Sequence, residues 1–408
     1  MLMVESVLNT MTYLSAFILT YFSVFLILVY FDKKEYIQTY KGKKVWEPTV
    51  SVVIPCYNEE KEIGKCIQSV LNSNYPKEKL QIIVVDDCSK DNSFQEAKKY
   101  ESKGVIVCQT PKNTGCAAGS KNYGVKLATG EILGFLDSDS FVEPDTLRKM
   151  LPFFEERDVG SVTPSVRILN PKNIMEQFQC IEYEVVIFLR RLLMAIDAVY
   201  VTPGPFSLFT REAFEETGGF DESSITEDHE IALSIQSKGY KIKSTFDANV
   251  HTIPPNTIPL WIMQRTRWLR GGVYNRWKYK YLINLSKWGD FGFMALTLDM
   301  ILIIPIMMLL ITPILRFLLY DHWMERIGLL SVFYSVDALW YIGFAISVIS
   351  ILWLYNVWST MKNYAPKYKI SWYIWPSYLF VYGISMSYVW LFVIWKEITR
   401  QKKGWDTR

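Results

Sequence analysis

Asp137 and Asp139 stand one residue apart in "FLDSDS", directly after the apolar run "EILGFL". Two carboxylates at this spacing can share one hard divalent cation through oxygen ligands. Such an ion typically also takes diphosphate oxygens and neutralises a leaving group. Further along, "SITEDHEIALSIQSKGYKI" sets Glu227 and Asp228 at the head of an apolar-periodic stretch. Asp228 is there either a general base near a helix N-terminus or, like Thr226, an N-cap. His229 and Glu230 invite a metal reading, but the chain has three histidines and the other two, His251 and His322, are distant in sequence, so zinc is disfavoured. A third cluster is "QRTRW", residues 264–268. On a helix Gln264, Arg267 and Trp268 share one face. That face offers an amide, a fixed cation and a broad aromatic surface. Arg and Trp are also expected at a membrane interface, so the rest of the chain must decide what the cluster is for.

The elements that position these residues can be read from periodicity. "TVSVVIPCYNEE" is a β-branched run that reads as a strand ending at Pro55, followed by a loop with Tyr57, Asn58 and Glu59. "EKEIGKCIQSVLNSN" has helical spacing, "LQIIVVDD" is a strand ending at Asp86 and Asp87, and "SKDNSFQEAKKYESK" reads as a helix. "GVIVCQT", "CAAGSKNYGVKLATG" and "EILGFLDSD" continue as strand, helix and strand. Repeated β-α units predict a mostly parallel, Rossmann-like sheet with helices on both faces. Ligands in such sheets bind at the carboxyl ends of strands, where the polar residues fall. Neither a G-x-G-x-x-G after the first strand nor a P-loop lysine motif is present, which disfavours dinucleotide binding and NTP hydrolysis of those kinds. After "VGSVTPSV" the alternation breaks, and residues 173–195 read as one long helix containing Glu176, Glu182, Glu184, Arg190 and Arg191.

Of the 408 residues 50% are hydrophobic and 15% aromatic, and the net charge of +3 is too small to point to nucleic acid. The apolar residues gather in four runs, 6–31, 291–315, 333–358 and 371–395. Each is long enough to cross a hydrocarbon core of roughly 30 Å. The first has no cationic n-region or small-residue cleavage site, so it reads as an anchor and not a removed signal peptide. Lysines at 33, 34, 41, 43 and 44 follow the first run, and Arg267, Arg270, Arg276, Lys278, Lys280 and Lys287 precede the second. Basic flanks on both sides place the intervening domain in the cytoplasm. All six cysteines lie within it with no C-x-x-C pair, which fits a reducing compartment. The expected organisation is an anchor at 1–32, a globular domain at 45–257, an interfacial amphipathic helix at 258–287, about three membrane helices at 288–396 and a basic tail at 397–408. Four spans put both termini outside, whereas the basic tail argues for inside; four spans is the reading adopted.

Taken in order, "VIPCYNEE", "VVDDCSKD", "NTGCAAGSKNYG", "LDSDS", "TEDHE" and "QRTRW" resemble the family 2 glycosyltransferases of GT-A fold. More narrowly, they resemble the membrane-bound, often processive branch that includes cellulose, chitin, hyaluronan and poly-N-acetylglucosamine synthases. The resemblance covers about residues 50–272, plus one span before and several after. It implies an α/β GT-A domain joined to an α-helical transmembrane region, in a multi-pass protein of the cell membrane. It implies an inverting transfer from a nucleotide-diphosphate sugar, UDP-sugar favoured, with Mg²⁺ or Mn²⁺ as cofactor. The acceptor it implies is a growing polysaccharide, with export an open question.

Residue by residue, the resemblance assigns Asp87 to the nucleotide base, Tyr57 and Glu59 to the nucleoside pocket and Lys121 to the diphosphate. Pro55 and Ser138 belong to the same donor site. Asp137 would touch ribose or metal, and Asp139 would be the main metal ligand. Asp228 would be the base that activates the acceptor hydroxyl, with Glu227 beside it. Gln264, Arg267 and Trp268 would serve the acceptor and the diphosphate. One departure stands out: where polymer-forming members often carry a small-residue motif such as Gly-Ser or Cys-Gly, this chain has Pro203-Gly204-Pro205. A non-processive enzyme that glycosylates a membrane lipid, and a catalytically silent membrane-binding module, are the alternatives; the full set of acids disfavours the second. Three spans are few to line a channel, and an oligomer would supply more.

Overall fold

The structure, a computed structural model, describes residues 2–40, 46–284, 338–365 and 370–399, with scattered residues between 287 and 318. Eight strands form one sheet in the order β3-β2-β1-β4-β7-β6-β8-β5. β1 (Val50–Cys56) lies between β2 (Leu80–Asp86) and β4 (Ile132–Phe135), and β3 (Ile106–Gln109) lies outside β2, all parallel. Every residue of β1 is buried, as expected for a strand covered on both faces. Pro55 fits inside this central strand because β4 pairs only with residues 50–53. Beyond that point a ladder N–H is not needed.

The expectation of a mostly parallel sheet holds for this half only. β7 (Ser207–Thr210) runs antiparallel to β4 and to β6 (Val159–Ile168). β8 (Lys241–Thr252) is parallel to β6, and β5 (Ser140–Val142) is antiparallel to β8. The sheet becomes mixed where the β-α alternation of the sequence stops, because strand direction there is set by long connections. The helix expected from "SKDNSFQEAKKYESK" is also shorter, a single α-helix (Ser93–Lys98) and a 3₁₀ turn (Glu101–Lys103) ended by Gly104 at φ 84°.

The helices, in chain order, are α1 (Leu2–Asp32), α2 (Lys34–Thr39), α3 (Ile63–Leu71), α4 (Ser93–Lys98), α5 (Ala117–Val125) and α6 (Thr146–Met150). They continue with α7 (Ile174–Met194), α8 (Arg211–Glu216), α9 (Glu227–Ser237), α10 (Ile258–Lys278), α11 (Ala338–Tyr364) and α12 (Ile374–Ile398). α7 begins at a capping box in which Asn173 Oδ1 accepts from Glu176 N and Glu176 Oε2 accepts from Asn173 N. Its apolar face meets α1, α2 and α11 through Ile187, Phe188 and Leu192. Its buried charges are all occupied. Glu184 pairs with Arg167 on β6 at 2.8 Å and Glu182 pairs with Arg265 on α10 at 2.6 Å. Arg191 donates to the carbonyls of Ile37, Tyr40 and Ser244 and lies 5.5 and 5.3 Å from the ring centres of Phe153 and Phe246.

Two helices, Met3–Asp32 and Ile374–Ile398, are long and apolar enough to cross a membrane by length and composition. α11 is 27 residues long and carries a single charged residue, Lys362. The expected run at 291–315 is described only in part, and the start of the run at 333–358 and residues 400–408 of the tail lie outside the described residues.

Candidate active site

Strands β1 and β4 lie side by side while β2 and β3 continue outward from β1, so the chain reverses direction of winding between β1 and β4. A crevice at the carboxyl ends of such strands is the expected ligand site. Tyr57 and Glu59 follow β1, Asp87 follows β2, and residues 137–139 follow β4.

The first two loops brace each other. Ser89 Oγ accepts from Asn58 N at 3.0 Å, Asn58 Oδ1 from Lys90 N at 2.8 Å, and Ser93 Oγ from Glu59 N at 2.7 Å. Asn58 and Cys88 take positive φ, 55° and 59°, conformations that cost energy in non-glycine residues and cluster at functional loops. Asp87 is buried. Its carboxylate accepts from Thr110 Oγ1 at 2.8 Å, Thr114 Oγ1 at 2.8 Å and Thr114 N at 3.0 Å. Those two threonines were not singled out in the sequence; "NTG" after a strand was the available signal. Pro55 is buried within β1, and Tyr57 and Glu59 are half-buried.

The D-S-D segment is the turn between β4 and β5, not the end of β4 itself. Asp137 and Asp139 are half-buried and Ser138 is buried. Lys121, enclosed on α5, reaches Asp137 Oδ1 at 3.3 Å and Glu227 Oε1 at 2.9 Å. Lys121 thus ties the D-S-D turn to the start of α9. Pro203-Gly204-Pro205 closes over the same carboxylate: a Cβ on Gly204 would lie 2.4 Å from Asp137 Oδ2. Only glycine allows this approach.

At the head of α9 the N-cap position is Thr226, whose side chain makes no capping bond. Asp228 is in the first turn, half-buried, with Oδ1 accepting from His229 N at 2.9 Å. A helix N-terminus favours its charged form. Even so, burial pushes the Asp228 carboxyl up to about 6, helped by the Glu227 charge and opposed by Lys121 and Arg267. Burial also works to raise Glu227, but the Lys121 ammonium and the Arg267 guanidinium outweigh it and hold that carboxyl below its ordinary value. Lys121 is the converse: burial lowers it, and Asp137 and Glu227 raise it further than burial can offset. Neighbouring carboxylates are therefore driven apart, the pattern that separates acid-base roles. Glu230 is occupied by Lys278 and Tyr279, each at 2.6 Å, which leaves little for the His229–Glu230 metal reading.

Residues 264–268 lie on α10 as expected. Arg267 turns toward the segment that precedes α9, donating to Ile225 O at 3.5 Å. Gln264 and Trp268 turn toward Arg265: Gln264 Oε1 accepts from its guanidinium, which lies 4.2 Å from the Trp268 ring centre. Trp268 itself stays 37% exposed. Arg265 itself, with its partner Glu182, was not picked out by spacing. Nor was Arg190, enclosed on α7 and donating to Pro164 O at 3.3 Å, whose guanidinium burial lowers while Tyr200 and Asp228 raise it.

Among the described residues no three or more His, Cys, Asp or Glu gather as a cation site. The two aspartates of the D-S-D turn do supply hard oxygen donors, and a cation that also binds substrate phosphates needs only one or two carboxylates. The donor set therefore fits Mg²⁺ or Mn²⁺ arriving with a diphosphate.

Comparison with known proteins bears on the domain that holds these residues. The sequence pattern of Glycosyl transferase family 2 matches residues 51–218. Poly-beta-1,6-N-acetyl-D-glucosamine synthase of Staphylococcus aureus is 33% identical over 227 residues, which cover 55% of this chain and 54% of the relative. The protein of that name from Staphylococcus epidermidis is 31% identical over 229 residues, 55% of this chain and 54% of the relative. The chain spans about half the length of the curated relatives it matches. Among solved structures, the mannosyltransferase PcManGT of Pyrobaculum calidifontis, in complex with GDP-Man and Mn²⁺, has a TM-score of 0.61. It is 18% identical, and the match covers 84% of this chain and 98% of that one; a likeness at that identity speaks for the fold alone. Sequence pattern and fold agree on this region: residues 51–218 carry the glycosyl transferase family 2 pattern, within a domain of GT-A-like fold.

Proposed function

We propose that the chain transfers a sugar, with inversion, from a nucleotide-diphosphate donor to a growing polysaccharide at a membrane surface. The observation that carries this is Asp228: a half-buried carboxylate raised to about 6, on a helix that Lys121 ties to the D-S-D turn. N-acetylglucosamine from UDP-N-acetylglucosamine is the first donor to test, because the synthases that match are named for that polymer. In the step, Asp228 takes the proton of the acceptor hydroxyl while its oxygen bonds to the anomeric carbon. The bond from that carbon to the diphosphate breaks, and its electron pair leaves with the nucleotide. Arg267 and Lys121 set positive charge where the leaving diphosphate accumulates negative charge. Asp87, Tyr57, Glu59, Pro55 and Ser138 would line the donor side, and Gln264 and Trp268 the acceptor side. Mg²⁺ or Mn²⁺, held by Asp139 and Asp137, would supply further charge neutralisation at the diphosphate when bound.

The proposed setting is a multi-pass protein of the cell membrane with residues 45–257 in the cytoplasm. Residues 258–287 would lie at the interface, and 288–396 would hold about three spans. Basic flanks and the apolar α1 and α12 support this. A second reading, addition of a single sugar to a membrane lipid, is favoured by Pro203-Gly204-Pro205, which stands close beside Asp137 where polymer-forming members often carry a small-residue motif. The deciding experiment incubates purified protein in detergent with a panel of UDP- and GDP-sugars and sizes the product. A ladder or long polymer supports the first reading and one added sugar the second. No transfer from any donor overturns both.

A further inference from the structure

Arg267, Gly271, Asn275 and Lys278 follow one another on α10 at steps of four, four and three, which makes a single stripe along the helix. The whole stripe runs beside residues 224–230. Arg267 donates to Ile225 O, and Lys278 and Tyr279 hold Glu230. At the centre Asn275 is fully buried. Its Nδ2 donates to Thr226 O at 3.2 Å and Thr226 Oγ1 at 3.1 Å, and its Oδ1 accepts from Ser224 Oγ at 3.2 Å. One turn earlier α10 touches the same threonine: a Cβ on Gly271 would lie 2.1 Å from Thr226 Oγ1 and 2.5 Å from Thr226 Cγ2.

Two details set this contact apart from ordinary packing. Thr226 holds the N-cap position of α9, where a threonine oxygen ordinarily accepts from a helix amide. Here that oxygen accepts from Asn275 on another helix, and the cap bond is not made. Glycine is unfavourable in a helix interior, yet Gly271 stands mid-helix where any side chain would strike Thr226. From the opposite side Thr202 N and Oγ1 donate to Asp228 O at 3.2 and 2.8 Å. The strap 224–226, which has no regular secondary structure, is thus held to α10, and the residue two beyond it is held to Thr202.

We propose that Asn275, seated by the close approach at Gly271, is a positioning residue that clamps Ser224 and Thr226 to α10 and so fixes where Asp228 stands relative to the acceptor. This rests on the reading of Asp228 as the base. The clamp also explains how one helix carries both the acceptor face and the register of the base. Its hydrogen bonds run to Ser224 and Thr226 at the head of α9, the helix that carries Asp228.

The test uses the full chain in detergent, with UDP-N-acetylglucosamine affinity from calorimetry and initial transfer rates over acceptor concentration. Asn275→Ala should keep donor affinity while kcat falls by up to about 100-fold, the scale of a misplacement of about 1 Å. Gly271→Ala should do the same by steric displacement. In a Thr226→Gly background, where the clash is removed, Gly271→Ala should cost several-fold less than in the native background. A general loss of packing would not show that rescue. Native kcat in Asn275→Ala overturns the clamp, as does an equal cost of Gly271→Ala in both backgrounds. Loss of donor binding alongside transfer in these variants also overturns it, since the contact would then hold the domain and not the base. Asp228→Asn, run in parallel, separates the two levels. If it transfers at native speed the base reading fails and the clamp with it; if it is inactive while Asn275→Ala is native, the clamp alone fails.

Discussion

Asp87 and Asp228 are carboxylates of the same candidate site, held in opposite ways. Asp87 is surrounded by neutral donors, Thr110 and Thr114, all within a short stretch of chain. Asp228 is surrounded by charge: Glu227 beside it, Lys121 from α5, Arg267 from α10 and Asp137 from the D-S-D turn. Neutral hydrogen bonds fix an acceptor group in one place whatever binds next to it. A cluster of buried charges is poised, and a new charge or proton shifts every member. On the proposed reading, a rigid donor end and a poised base end are what the transfer requires, since the donor must be read and the acceptor deprotonated.

The largest expected effect comes from removing the cation at the poised end. Lys121→Met leaves Glu227 buried without its partner, which should cost about 3–5 kcal/mol of stability. Denaturant unfolding measures it, and adding Glu227→Gln should recover much of the loss. An unchanged midpoint would show that solvent already screens the pair.

Next is Asp228→Asn. It keeps size and helix position and removes the base, so transfer should fall at least about 100-fold with donor affinity intact by calorimetry. Native rates would return Asp228 to a purely structural place.

The pH dependence comes third. A base with its carboxyl at about 6 is protonated below that pH. Transfer should rise with pH through about 6, level off above it, and fall about tenfold per pH unit below it. The same shift has a stability sign: between its ordinary value near 4 and 6 the folded protein binds the extra proton, so this group makes stability fall as pH rises across that window.

The smallest effect belongs to the neutral end. Thr110→Val removes one of three donors to Asp87 and should weaken nucleotide binding by about 1.5–3 kcal/mol at most, read as donor affinity with no change in the pH profile. A shifted pH limb in this variant would show that the two ends are electrically coupled.

The contrast also explains what could be read from the sequence. Asp87, the D-S-D pair and Asp228 were legible because each follows a strand or opens a helix, and the surrounding period shows where those elements end. The parallel half of the sheet was legible for the same reason. β7 and β5 were not, because antiparallel pairing to β4 and β8 depends on how long connections return. Lys121 was expected at the diphosphate. That its ammonium is already shared between Asp137 and Glu227 could not be seen, since no local pattern links residue 121 to residue 227. The same holds for Asn275 and for Glu182 with Arg265, whose partners lie on distant elements. Where an element begins and ends is written in short stretches; which distant residues it meets is written only in the fold.

Arg191 has a consequence for where the chemistry can take place. Its guanidinium, beside the rings of Phe153 and Phe246, bonds the carbonyls of Ile37 and Tyr40, so the segment leaving α1 is stapled to the sheet domain. If α1 is a membrane anchor, the domain does not swing on a tether. Its crevice stands at one fixed height above the bilayer, and only acceptors presented at that height can be reached.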